Sequence, residues 1–217
     1  MDVRGRGTAG GASAVPRLSL LRTVREVFRS AQDVAGELSA GRHLVLHAAS
    51  ASASAGPLLD RCTVLTELIA ERHDLDARVA VGEPGTGVTG MHCSYRDAAA
   101  VLRSGPALRP DTRVFPVAEF RVPQLVGAAV RHERTRYAAA LLDGVRGRAD
   151  WPDLRQTLIA WAECGFHLLR TSERLAVHRN TLLYRLAKID DLTGRDVREP
   201  RTAMALYLAC IADVLES

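Results

Sequence analysis

The first half of the chain mixes helical and strand-like spacing of apolar residues. Residues 18 to about 38 place apolar side chains every three or four positions, which predicts a helix. The short apolar run 43–47 and the segment 77–81 predict two strands. Segments 60–72 and 93–103 carry helical spacing again. This alternation of helices and strands is typical of a small α/β layer.

Residues 113–117 predict one more strand, and Pro116 predicts that it lies at a sheet edge, because proline has no N–H to donate. After Pro123 no strand pattern recurs. Residues 125 to about 142 predict a helix with a charged middle, and Trp151 opens an all-helical segment that runs to the end. The final helix, 202–215, is apolar on most faces, which predicts domain core, with a dimer contact as the alternative.

The pattern divides the chain into four parts. Residues 1–16 are rich in Gly, Ala, Ser and Arg without periodicity, so we expect them to be disordered. Residues 17–122 are expected to form the α/β domain, 123–150 a linker helix, and 151–217 an all-α domain. The predicted fold class is therefore α+β, with a small α/β domain followed by a helical one.

Composition excludes several classes of protein. Of 217 residues, 47% are hydrophobic and 25% charged, which is an ordinary globular balance. No apolar run approaches the ~20 residues of a membrane helix, and the amino-terminal residues lack the apolar core of a secretory signal. The four cysteines form no C-x-x-C pair, so we expect free thiols and no metal site. We expect a cytoplasmic protein without a membrane partner, and its net charge of +4 is compatible with nucleic acid.

A glycine-rich loop follows the strand 77–81. Gly85, Gly87 and Gly90 match the dinucleotide pattern G-x-G-x-x-G in the required context. However, Glu83 and Pro84 separate the glycines from the strand, and no acidic residue closes the next strand as dinucleotide binding requires. We therefore predict a plain loop and no cofactor. A nucleotide-binding enzyme is the weaker alternative, since no catalytic His, Cys or carboxylate constellation accompanies the loop.

Residues 167–189 predict two helices joined by a tight turn. Ser172 is small where two crossing helices approach closely, Ala176 lies in the turn, and Val177 fills the angle between the helices. In the second helix, which starts at His178, an inward stripe has i, i+4, i+7 spacing. That stripe consists of Leu182, Leu186 and Ile189.

The opposite face of the second helix carries groups that suit DNA. Arginine bridges guanine and asparagine bridges adenine in the major groove, while hydroxyl and ammonium groups contact phosphate. The predicted DNA contacts are Arg179, Asn180, Thr181, Tyr184, Arg185 and Lys188. An ordinary solvated helical hairpin remains the alternative for this segment.

The stretch TSERLAVHRNTLLYRLAKI, followed by DDLTGRDV, resembles the carboxyl-terminal helix-turn-helix of PucR/CdaR-type bacterial transcription regulators. The resemblance covers about residues 151–215. It implies that DNA contacts fall on the second helix, at Arg179, Asn180, Thr181, Tyr184 and Arg185. Relatives usually carry alanine at the position of Ser172, and serine is small enough to keep the helix crossing.

The segment VAVGEPGTGVTGM resembles the degenerate GGDEF-like domain that precedes the helix-turn-helix in the same family. That resemblance implies a partial ferredoxin/GGDEF-like fold in which the glycine loop is structural. No G-G-[DE]-E-F signature occurs, so the resemblance implies no cyclase activity. It leaves the family's larger amino-terminal sensory region unmatched.

These observations predict a sequence-specific transcription regulator that is not an enzyme. The helix that starts at His178 is expected to enter the major groove of double-stranded DNA, and a homodimer would bind half-sites about one turn apart. The α/β domain would supply dimerisation or signal coupling to a small-molecule effector that the sequence does not identify. The alternative is a protein-interaction or dimerisation module without specific DNA binding.

Overall fold

The computed structural model describes residues 1–5, 17–39, 41–50 and 54–216. The chain divides into two compact units, Met1–Arg121 and Val122–Ser217. The first combines a sheet with helices and the second contains helices, as the α+β prediction requires. Among the described residues, no helix combines the length and the apolarity needed to cross a membrane.

The first unit is built on a five-stranded sheet with the order β2-β3-β1-β4-β5. All neighbouring strands are antiparallel except β4 and β5, which are parallel. Its strands are β1 (Asp2–Gly5), β2 (Val34–Ser39), β3 (Arg42–Leu46), β4 (Leu75–Val81) and β5 (Val114–Pro116). Its helices are α1 (Arg17–Val27), α2 (Gly56–His73) and α3 (Gly87–Leu108), and a 3-10 turn spans Val117–Phe120.

The core of the first unit lies between α1, α2 and one face of the sheet. Alternate residues of β4 point to that face because strand side chains alternate. They join apolar residues of both helices in one buried cluster. The cluster consists of Leu20, Val24, Phe28, Cys62, Leu65, Ile69, Leu75, Ala77 and Val79. We refer to it below as the α1–α2 cluster.

Helix α3 packs against the sheet through its last turns. A Cβ atom built on Gly105 would lie 2.7 Å from the Phe115 ring, so the helix and β5 approach closely where glycine leaves room. The Phe115 and Phe120 rings pack edge to face with centroids 5.7 Å apart. Both side chains are buried, and they anchor the edge strand that Pro116 predicts.

Two amino-terminal predictions are wrong. Residues 2–5, expected to be disordered, form β1 in the middle of the sheet, while the rest of that predicted segment, 6–16, lies outside the described residues. The helix expected over 18–38 ends at Val27, and its second half is β2. β2 pairs with β3 over Val34–Ser39 through a turn in which Gly41 has φ 77°, so pairing with β3 outweighs the local helical spacing.

The second unit contains six helices among the described residues. They are α4 (Arg121–Ala128), whose first residue belongs to the first unit, α5 (Arg131–Arg146), α6 (Trp151–Glu163), α7 (Leu168–Arg174), α8 (Arg179–Thr193) and α9 (Pro200–Glu216). Helix α9 lies at the centre of this unit, with Leu206, Ile211 and Cys210 fully buried. The apolar final helix is therefore domain core.

A charged cluster lies beside that apolar core. The Asp213 carboxylate on α9 accepts hydrogen bonds from the Trp151 indole and from Arg155, each at 3.2 Å, and pairs with Arg146 at 2.6 Å. Asp213 is only 9% exposed. One acid thereby joins α5, α6 and α9.

The segment expected to be a single linker helix is two helices that are part of the second unit. Val130 separates α4 from α5 in an extended conformation. Ala138, Leu142 and Val145 of α5 are fully buried, and Gly144 lies so near the Leu192 carbonyl that an added Cβ would be 2.9 Å from it. The sequence analysis missed this apolar stripe because charged residues dominate the first half of α5.

Candidate nucleic-acid interface

Helices α7 and α8 are joined by four residues, 175–178. The α7 carboxyl end closes with two backbone hydrogen bonds, from the Ala176 N–H to the Glu173 carbonyl and from the Val177 N–H to the Ser172 carbonyl. Ala176 adopts the left-handed conformation with φ 50°. These are the features of a Schellman closure, which turns the chain sharply and starts α8 at a fixed angle.

The structure places the inward stripe where the sequence predicts it. Leu182, Leu186 and Ile189 are no more than 1% exposed and pack α8 into the helical unit. Ser172 is buried on α7, and its hydroxyl donates to the Leu169 carbonyl at 2.9 Å, which satisfies the polar group at the crossing. The stripe therefore fixes which face of α8 is left to solvent.

The outward face at the start of α8 is open. Arg179, Asn180, Thr181 and Tyr184 are all exposed, and Tyr184 keeps 65% of its surface. The His178 ring nitrogen Nδ1 caps the helix by accepting from the Asn180 N–H at 3.2 Å. The amino-terminal end of α8, with its partial positive charge, thus lies beside these four side chains.

Arg185 and Lys188 differ from those four residues because acids at the start of α6 hold them. Arg185 donates to the Asp153 carboxylate and to the Thr157 hydroxyl, each at 3.3 Å. The Lys188 ammonium lies 2.6 Å from Asp150, and its hydrogen bond lowers the pKa of that carboxyl below the ordinary value. Both cations remain partly exposed, at 21% and 26% of their side-chain surface.

Asp150 and Asp153 were not among the sequence-predicted site residues. Asp153 lies 32 positions before Arg185 and Asp150 lies 38 positions before Lys188, so no local pattern connects the acids with the cations that they bind. The sequence does show an acidic helix start with Pro152 in its first turn. That pattern predicts where a helix begins, but it does not predict an ion pair with α8. Arg170, near the start of α7, is a further exposed cation of the helical hairpin.

The glycine-rich loop has a packing explanation in the first unit. A Cβ on Gly85 would lie 2.4 Å from the Gly90 carbonyl oxygen, and one on Gly82 would lie 2.1 Å from the Ser94 hydroxyl. Gly87 has φ 66°, in the left-handed region that favours glycine. Each of these three glycines lets backbone segments approach closely or turn.

Comparison with known proteins identifies both units. Residues 154–212 match the model of the PucR C-terminal helix-turn-helix domain, and residues 4–104 match the model of the GGDEF-like domain. Both are domains of PucR/CdaR-type regulators, and the chain resembles these regulators in each of its two units. This PucR/CdaR-type chain places its helix-turn-helix after the GGDEF-like domain, in the order that its sequence predicts.

Several curated relatives are regulators by name. The carbohydrate diacid regulator of Escherichia coli (strain K12) is 32% identical over 143 residues, which cover 66% of this chain and 37% of that protein. The purine catabolism regulatory protein of Bacillus subtilis (strain 168) is 30% identical and covers 54% of this chain and 22% of its own length. The chain therefore spans little more than a third of the first relative and less of the second.

A transcriptional activator, PmfR of Paenarthrobacter nicotinovorans, is 28% identical over 63% of this chain and 28% of its own length. Among solved structures, a regulator of polyketide synthase expression from Bifidobacterium adolescentis covers 97% of this chain and 78% of that chain, with a TM-score of 0.37 and 20% identity.

Proposed function

We propose that this PucR/CdaR-type chain is a sequence-specific DNA-binding transcription regulator that inserts α8 into the major groove. The observation that carries the proposal is the exposed face of α8, whose opposite face is buried through two leucines and an isoleucine. The exposed face consists of Arg179, Asn180, Thr181 and Tyr184. The named relatives, which are regulators, support the same class of function.

Base recognition falls to the first turn of α8. Arg179 has the donors to bridge guanine O6 and N7, and Asn180 has the donor and acceptor pair that bridges adenine N6 and N7. Thr181 and Tyr184 carry hydroxyl groups that suit phosphate oxygens. Exposure of all four, next to the amino-terminal end of the helix, leaves them free to approach a duplex.

Arg185 and Lys188 have a different proposed role. Each cation contacts phosphate by exchanging its carboxylate partner on α6 for a phosphate oxygen. The exchange is possible because a carboxylate oxygen and a phosphate oxygen are both anionic hydrogen-bond acceptors. Their contribution to affinity is then largely independent of base sequence, and it decreases as salt rises.

The proposal includes two copies of the chain on one operator and action in the cytoplasm, where bacterial DNA lies. A dimer would bind half-sites separated by about 34–36 Å, one turn of DNA. The first unit would supply dimerisation or signal coupling. No catalytic role is proposed for either unit.

Selection of binding sites from random DNA with the 217-residue chain tests the proposal. We expect a defined site to be enriched. We expect Arg179→Ala or Asn180→Ala to weaken binding to that site by about 1–3 kcal/mol, while binding to random DNA changes little. Arg22→Ala is the control, because Arg22 is an exposed arginine on α1 in the other unit.

Two outcomes would contradict base reading by α8. One is an equal loss on selected and random DNA, and the other is failure to enrich any sequence. Weak, sequence-blind binding would favour the competing function, a protein-interaction or dimerisation module that uses the helical hairpin.

A further inference from the structure

The sheet of the first unit has one face that is covered only in part. The α1–α2 cluster fills one face, whereas α3 packs on the other face against β4 and β5. On that second face, β2 and β3 leave three large apolar side chains between 38% and 61% exposed. These side chains, which we call the apolar floor, are Val34, Leu38 and Leu46.

Alternation along the strands places the floor on the α3 face. Ala35 and Val45 are paired and pack against the α1–α2 cluster, so the neighbouring pair, Val34 with Leu46, points the other way. Phe115, which lies against Gly105 of α3, likewise points away from the cluster. The floor and α3 therefore lie on the same side of the sheet.

A cavity of about 500 Å³ lies between the floor and α3. All three floor residues line it, and Met91, Tyr95 and Ala98 line it from α3. The cavity extends inward to Phe28 and Cys62 of the α1–α2 cluster. Its volume lies within the range of roughly 300–1,000 Å³ that is usual for sites of small molecules.

The inner end of the cavity carries an imidazole without a partner. The His43 side chain lines the cavity and is 3% exposed, and neither ring nitrogen has a hydrogen-bond partner among the described residues. Burial lowers the pKa of His43, so the ring is neutral at pH 7 and offers one N–H donor and one acceptor. Buried polar groups are almost always paired in folded proteins. A bound molecule with a hydrogen-bond acceptor would satisfy this donor.

The charges around the cavity favour an anionic acceptor. Arg42 lines the cavity beside His43, and within the part of the chain that the structure describes no acid pairs with its guanidinium. Glu83 also lines the cavity, but Arg121 already holds it in an ion pair. Glu37 lies opposite His43 on β2 and does not line the cavity. A carboxylate that enters the cavity would meet an unpaired guanidinium and an N–H donor.

We propose that this cavity binds a small amphiphilic carboxylate, whose apolar body lies between the floor and α3 and whose carboxylate accepts a hydrogen bond from His43 beside Arg42. Hydrogen bonds to an ionised acceptor are stronger than those between neutral groups. A protein surface that covered the floor would leave the buried His43 ring without a partner, whereas a small molecule reaches both. The site lies in the first unit, and the proposal is independent of DNA binding by the second.

Isothermal titration calorimetry of the 217-residue chain tests the proposal. The probes are 2-naphthoate and octanoate, which distinguish an aromatic from an aliphatic body. We expect at least one of them to bind with one molecule per chain. We expect the matched alcohols, 2-naphthalenemethanol and 1-octanol, to bind at least about tenfold more weakly, because they lack the charged acceptor.

The variant His43→Leu should weaken binding of the carboxylate about tenfold and leave binding of the alcohol nearly unchanged. The Tm of the first unit should not fall, because the substitution removes a buried polar group that has no partner. A weaker affinity would then report the lost hydrogen bond and not unfolding.

A second pair of variants tests where the probe binds. Ala98→Trp fills the cavity from α3, so it should abolish binding of acid and alcohol alike. Cys93→Trp is the matched control, because Cys93 is exposed on the same helix and does not line the cavity. Circular dichroism verifies that both variants are folded.

The proposal is overturned if neither carboxylate binds, or if His43→Leu leaves the affinity for the carboxylate unchanged. Equal binding by Ala98→Trp and Cys93→Trp would also overturn it, because the probe would then lie elsewhere. Sedimentation equilibrium of Leu46→Glu addresses the competing occupant. If neither carboxylate binds and this variant dissociates a dimer, the floor contacts a second copy of the chain instead.

Discussion

Ala176 is the residue that fixes the turn between the two helices of the candidate DNA-binding motif. Its φ of 50° lies in the left-handed region, where a Cβ atom costs about 1–2 kcal/mol relative to glycine. The closing hydrogen bonds of Ala176 and Val177 compensate for that strain. The position therefore combines a strained backbone with a fixed geometry for α8.

We predict that Ala176→Gly stabilises the second unit by about 0.5–1 kcal/mol, because glycine adopts this conformation without strain. Urea unfolding followed by tryptophan fluorescence measures the change, since both tryptophans lie in this unit. Ala187→Gly is the matched control. Ala187 is an exposed residue inside α8, where the same substitution should destabilise by up to about 1 kcal/mol. Effects of the same sign at both positions would contradict the strain argument.

At the scale of the element, α6 controls the charge that α8 presents. Its N-cap residue Asp150 lies 2.6 Å from Lys188, and Asp153 in its first turn lies 3.3 Å from Arg185. Two of the six predicted DNA contacts are therefore paired with acids within the unit. The four remaining residues lie open at the start of α8. The structure thus separates four exposed side chains, which we propose as DNA contacts, from two cations that are already paired with carboxylates.

We predict that the double variant Asp150→Asn, Asp153→Asn binds selected and random DNA several-fold more tightly, because Arg185 and Lys188 lose their competing acids. The slope of log affinity against log salt should steepen by up to about two units. A salt titration of the binding constant measures it. The control, Glu67→Gln with Glu71→Gln, makes the same change in net charge on exposed positions of α2 and should leave affinity unchanged. Equal gains in both variants would indicate a net-charge effect only.

Asp213 joins three helices and gives a second prediction at this scale. Asp213→Ala leaves Arg146 and Arg155 without their shared carboxylate, and we expect a loss of about 3 kcal/mol in the free energy of unfolding of the second unit. Glu133→Ala removes an exposed ion pair with Arg136 and should cost no more than about 0.5 kcal/mol. Urea unfolding of both variants measures the difference. A loss at Asp213 as small as that at Glu133 would show that the cluster adds little to stability.

At the scale of the whole molecule, the amino terminus ties protonation to the stability of the first unit. Burial lowers the pKa of the Met1 ammonium to about 6 from 8.0, and burial also lowers the pKa of His43. Four other charged or titratable groups act on these two pKa values, namely Asp2, Arg42, Glu37 and the Cys62 thiol. Both shifts disfavour the charged form in the folded state, so the unfolded chain binds more protons as pH falls.

We predict that the first unit becomes more stable as pH rises from 6 to 8, by up to about 2–3 kcal/mol for the 217-residue chain. The sign follows because the folded state releases the amino-terminal proton near pH 6 and the unfolded state near pH 8. Below pH 6.5, protonation of His43 in the unfolded chain adds a loss in the same direction. Urea unfolding followed by circular dichroism at pH 6, 7 and 8 measures the change.

Acetylation of the amino terminus supplies the control for this pH dependence, because it removes the titrating amine and leaves the strand in place. The rise between pH 6 and 8 should then largely disappear, while the His43 contribution at lower pH remains. An acetylated chain with an unchanged pH profile would show that the buried amine is not its origin.

The sequence by itself determined the second unit's candidate interface. The inward stripe of α8, the small residue at Ser172 and the turn at Ala176 lie within a few positions of one another, and helix geometry translates such local spacing directly into a face. The sequence also predicted β3, β4 and β5 and the edge position of Pro116. These were predictable because the residue types of a strand depend on whether that strand is buried or lies at an edge.

Only the tertiary structure decided β1, β2 and the partners of Arg185 and Lys188. The four residues of β1 acquire their conformation from strands that follow 37 or more positions later, and β2 overrides a helical spacing by pairing with β3. The acids that hold the two cations come from another helix. In each case the stabilising partner is distant along the chain. A contact between distant residues does not change the local spacing of apolar residues, so the local pattern cannot predict it.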